Sequence, residues 1–174
     1  MRWLAPFSPA AREGWVIKTP ADIELMISQA QKNQTSPYDP NLENTIRILA
    51  QVLQSKGIQL VVTDHITPGA GGEWDTTRGE LRIRPSTVAM GIPVLANALA
   101  HESTHVAQSC RAGGVGKKSI ALGIKVDPVN VYQRELDLPL YRGPIFDKAI
   151  ELEAHSVGAI PSWAVSLVDH FCKG

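Results

Sequence analysis

The sequence predicts an α+β fold, and three observations predict it. Apolar residues recur at helical spacing in several separate stretches, a β-rich run spans 58–63, and a hairpin pattern follows over 73–84. At 174 residues with 44% hydrophobic content, the chain suits a single domain with a core of its own.

Residues 1–18 read as an irregular arm, with Trp3, Phe7 and Trp15 among prolines, and 19–174 read as the domain. Thr19-Pro20-Ala21-Asp22 is a helix start, with Thr19 as N-cap and Pro20 in the first turn. Ile23, Met26, Ile27 and Ala30 form its stripe, and Thr35 to Pro37 break it. Asp39-Pro40 starts a second helix carrying Leu42, Ile46, Leu49, Ala50 and Leu53, closed by Gly57. Ile58 to Thr63 is the best strand pattern in the chain. Pro68 to Gly72 is a loop, with neither the Lys-Ser/Thr nor the following helix that a phosphate cradle needs.

Glu73-Trp-Asp-Thr and Glu80-Leu-Arg-Ile-Arg84 flank Thr77-Arg78-Gly79 as a hairpin. Leu81 and Ile83 face one way, and Glu80, Arg82 and Arg84 the other, as on a solvated edge strand. A further helix spans Val94 to Cys110, with Pro93 in its first turn and Gly113-Gly114 at its end. The glycine-rich, basic stretch after it follows a helix rather than a strand and reads as a connection. Gly143-Pro144 opens another helix, carrying Phe146, Ile150, Ala154 and Val157. Pro161 divides it from a last helix, Ser162 to Cys172.

Seventeen basic residues balance seventeen acidic ones, so charge predicts neither nucleic acid nor an anionic membrane as partner. No apolar run approaches the roughly 18 residues that span a bilayer. Pro6 and Pro9 cut the opening short of a signal-peptide core, and the expected location is cytoplasmic. Of the two cysteines, neither belongs to a Cys-x-x-Cys pair. Buried reduced thiols are the reading for a cytoplasm, and a Cys110–Cys172 disulfide joining the motif helix to the last helix stays open beside it.

The chemistry concentrates in His101-Glu102-Ser103-Thr104-His105. Two histidines four apart on a helix emerge on one face about one turn apart, which suits a shared Zn²⁺. Glu102 lies beside them, placed to take a proton from a metal-bound water. The helix is apolar ahead of the motif, so two imidazoles and a carboxylate there are costly unless something satisfies them.

Zinc in a catalytic site takes a third protein ligand. The best source is Glu151-Leu-Glu-Ala-His155, on a helix of its own. Here the chain resembles the zincin metallopeptidases, in particular the gluzincin branch that includes thermolysin. In several of those families a second helix carries Glu-x-x-Ala-polar. Its glutamate binds the metal, and its last residue hydrogen-bonds a metal-bound histidine. The resemblance, which follows the order of elements over roughly 40–160, makes Glu151 the ligand and Ala154 the small residue where the helices approach. His155 takes the polar position, where those families more often have Asp, Glu or Asn, so it is also a rival ligand. Glu80 to Arg84 would be the antiparallel edge strand that pairs with extended substrate. Glu153 points about 200° away from Glu151 around the helix and reads as a solvated residue.

The resemblance thus implies helices on a small twisted sheet and a zinc peptidase acting on peptide or protein. Zn²⁺ would be held by His101, His105 and Glu151, with Glu102 as general base. Tyr132 and Tyr141 are candidate oxyanion donors. Two other classes stay open: a zincin-like domain that binds peptide with little turnover, and a structural protein without metal.

Overall fold

The computed structural model describes residues 14–125 and 147–173. The first helix, α1 (Pro20–Lys32), begins as its sequence dictates. Asp22 N–H donates to Thr19 Oγ1, and the Asp22 carboxylate accepts from the backbone of Thr19 and Lys18. Ile23, Met26, Ile27 and Ala30 are buried, as the stripe predicts. In α2 (Asn41–Ser55), Ile46, Leu49, Ala50 and Leu53 face the core, and Gly57 turns the chain out at a φ of 76°.

Four strands follow the order β1-β2-β4-β3: β1 (Trp15–Ile17), β2 (Gln59–Val62), β3 (Gly72–Asp75) and β4 (Glu80–Ile83). β1 is antiparallel to β2, β2 parallel to β4, and β4 antiparallel to β3. The sheet is therefore mixed, with an antiparallel strand at each edge. Two sequence expectations are corrected. Trp15–Ile17 is a sheet strand rather than part of an irregular arm. Glu80 to Ile83 lies inside the sheet, and the hairpin's edge strand is its first arm, β3. The reason is pairing over distance: β2 seeks a partner in β4, which leaves β3 outside.

That position also corrects the reading of the hairpin's charges. Arg82 is buried at 7% exposure, forming ion pairs with Glu80 at 2.8 Å and Asp75 at 3.0 Å and donating to the His65 carbonyl. On an interior strand even the face away from the helices is crowded, so its charges must be paired. Leu60, Val62, Leu81 and Ile83 fill the opposite face, against the helices.

A short helix, α3 (Pro85–Ala89), leads to the central α4 (Ile92–Arg111), which packs on α2, β3, β4 and two C-terminal helices, α5 (Lys148–Gly158) and α6 (Pro161–Phe171). Gln34 caps α4 by accepting from Ile92 N–H at 3.0 Å, and a Cβ on Gly91 would collide with that amide. Ile92, Leu95, Leu99 and Val106 are fully buried. At about 1.5–3 kcal/mol each, they anchor the helix in the core.

Of the two cysteine readings the sequence left open, the structure has the second: Cys110 and Cys172 form a disulfide. α6 runs along α4, bringing the ends of both together, and closing a loop with a separation of 62 residues contributes about 4 kcal/mol on the chain-entropy model. Among the described residues no helix is long and apolar enough to cross a membrane.

Candidate metal centre

Two helices build the site. α4 carries His101, Glu102 and His105 at its mid-length, and α5 brings Glu151 opposite them. The helices come close because Ala154 is small and fully buried, and because a Cβ on Gly158 would press against Asn97 of α4.

The donor atoms converge. His101 Nε2 and His105 Nε2 are 3.2 Å apart. Glu151 places Oε2 3.4 Å from His101 Nε2 and Oε1 3.3 Å from His105 Nε2. Ligands about 2.0–2.1 Å from one tetrahedral ion stand about 3.3 Å from each other; the two imidazole nitrogens have that separation, and each has a different Glu151 oxygen at a similar distance. The chemistry fits too, since two imidazoles and a carboxylate are a zinc ligand set. Glu151 Oε2 is buried and accepts no hydrogen bond from the described residues, which leaves its lone pairs to a cation.

His155 lies one turn beyond Glu151, its ring edge-on to that of His101 with centroids 4.5 Å apart. Atoms of His101, Glu151 and His155 that could bind a metal lie within 4.8 Å of one another. His155 is thus beside the cluster, where the sequence put it, and both its supporting and its ligand role are open to it. The tighter set is His101, His105 and Glu151.

Glu102 turns toward the sheet, its Oε1 3.9 Å from His101 Nε2 and its carboxyl facing the Trp74 N–H of edge strand β3. Gly72 makes the room: a Cβ there would stand 2.9 Å from Glu102 Cγ. Trp74 also ties β3 to α4 by donating from Nε1 to Ser109 Oγ at 2.9 Å.

Two residues of the site were missed by sequence reasoning. Gln108 is fully buried, with His105 Nδ1 2.8 Å from its Oε1. Glu153, expected in solvent, is 4% exposed and accepts from Gln108 Nε2 at 2.9 Å, Leu122 N at 2.7 Å and Gly123 N at 2.8 Å. The signal was present: Glu153 falls on the same face as Ile150, Ala154 and Val157, inside the stripe that predicts burial. Tyr132 and Tyr141 lie outside the described residues.

The protein groups taken by themselves set one another's charges. Burial holds His101 down at about 4, against a partial offset from Glu151. Burial likewise pushes the Glu102 carboxyl up to about 7. At His105 burial acts downward, but the Glu151 carboxylate outweighs it, with Glu102 and Gln108 assisting, and the imidazole rises to about 9. Glu151 is desolvated as well, yet the two imidazoles hold it well below the usual carboxylate range.

A pH dependence follows for protein stripped of metal. His105 stabilises the fold fully below its ordinary value of 6.5, and that contribution is lost as pH rises toward about 9. Glu151 contributes above its ordinary 4.5 and loses that contribution as pH falls further. Between these windows His101, which resists protonation in the fold, and Glu102, which resists ionisation, pull in opposite directions. Thermal unfolding of chelator-treated protein should therefore show an alkaline decline that His105→Gln removes. An unchanged decline in that variant would contradict the assignment.

Compared with known proteins, the chain matches no family model, no curated protein and no solved structure.

Proposed function

We propose that this chain is a zinc-dependent metallopeptidase of gluzincin type that hydrolyses peptide bonds. The observation that carries the reading is the convergence of His101, His105 and Glu151, at separations of 3.2 to 3.4 Å, beside a buried carboxyl on Glu102. Zinc bound there would act as a Lewis acid and lower the pKa of its water toward about 7.

The rest falls to the chain's own residues. Glu102 accepts the proton of the attacking water and returns it to the leaving amine, from a buried position beside the imidazoles. His155, edge-on to His101, limits that ring's rotation. β3 offers an extended peptide a sheet edge directly beside Glu102, so strand addition there would carry the scissile bond to the site. The Cys110–Cys172 bond supports work in an oxidising compartment over the cytoplasm expected from the sequence.

The test is hydrolysis of an unfolded protein substrate. Activity should disappear on chelation and return on adding about one equivalent of zinc. Cleavage that persists at full rate in chelated protein, with zinc shown to be absent, would end the proposal.

A further inference from the structure

We propose that Gln108 and Glu153 are positioning residues that fix the tautomer of His105, so that its Nε2 lone pair is turned toward the metal. The inference deepens the metallopeptidase reading and rests on it.

Hydrogen-bond chemistry determines the direction of the relay. The Gln108 amide nitrogen lies 3.0 Å from the Ile150 carbonyl and 2.9 Å from Glu153 Oε2, and both of those atoms only accept. A flipped amide would set its oxygen against two acceptors, so the NH₂ must face α5. The amide oxygen then faces His105, and at 2.8 Å it can only accept. His105 Nδ1 therefore carries the hydrogen, and its Nε2 is the atom that meets His101 Nε2 and Glu151 Oε1 at 3.2 and 3.3 Å. An imidazole that binds metal through one nitrogen commonly donates from the other to such a partner.

Glu153 fixes Gln108 in turn, and is itself fixed by the backbone N–H groups of Leu122 and Gly123. Ser119 Oγ, in the same segment, donates to the His105 carbonyl at 3.1 Å. The segment 119–123 thus reaches His105 both through the Ser119 hydroxyl and, from its backbone N–H groups, through this relay. Gln108 is fully buried and Glu153 nearly so, a costly arrangement for packing alone, since apolar side chains would fill the same space.

The experiment measures zinc affinity by chelator competition in the full chain, together with the ¹⁵N-histidine spectrum of the zinc-bound form. Gln108→Leu should weaken zinc by about 10- to 100-fold and abolish the protected Nδ1–H signal of His105, leaving His101 in place. Equal affinity in wild type and Gln108→Leu would overturn the relay while leaving the metal reading intact. A wild-type protein that binds no zinc would instead overturn both. Should Gln108→Leu not fold, the wild-type spectrum decides alone: zinc on Nε2 with a hydrogen on Nδ1 supports the relay, and zinc on Nδ1 refutes it.

Discussion

Glu102→Gln is expected to keep zinc in place and to cut hydrolysis by roughly 10²- to 10⁴-fold, the usual scale for a positioned acid–base group. The substitution preserves size, and the amide oxygen can still accept from the Trp74 N–H, so the α4–β3 contact survives. What it removes is proton acceptance. At 7% exposure there is little bulk water beside Glu102 to take over that work. Turnover on a fluorogenic peptide, read beside zinc content and thermal stability, checks the expectation. Full activity in this variant would show that the proton leaves by another route.

The second large effect belongs to the metal ligands. His101→Ala and His105→Ala should each abolish zinc retention, because two remaining donors no longer enclose a tetrahedral ion. Glu151→Gln should weaken binding severely, since it takes a negative charge from the centre and replaces one oxygen with a donor that cannot ligate. His155→Ala should cost only about 10- to 100-fold, as a residue supporting a ligand does. Zinc titration of the four variants checks this ranking. If His155→Ala loses zinc while Glu151→Gln keeps it, the ligand roles must be exchanged. Glu153→Gln disturbs a buried carboxylate holding three donors, so besides the weaker zinc binding that follows from loosening Gln108 it costs stability, on the order of 1–3 kcal/mol.

What the sequence made legible is what depends on local period. The stripes of α1 and α2, the caps at Thr19 and Gly57, the hairpin and the motif helix all follow from spacing and turn chemistry. Distant pairing was not legible in this way. β1 is three residues long beside a proline-rich stretch, too short for alternation to register. β4 became an interior strand only because β2 pairs with it, and that choice has no local mark. At the site, His101, Glu102 and His105 were readable from the 3.6-residue turn, and the side of α5 facing them from the four-residue step between Glu151 and His155. Glu153 was misread because charge was weighed above its place among Ile150, Ala154 and Val157. Gly72 shows its purpose only once Glu102 stands beneath it.

The most direct test of the account is the zinc content of the full chain purified without a histidine tag, before and after dialysis against micromolar zinc. The account predicts about one zinc per chain in wild type and none in His101→Ala or His105→Ala. A folded wild-type chain that neither retains nor takes up zinc, or equal zinc in all three proteins, would contradict it.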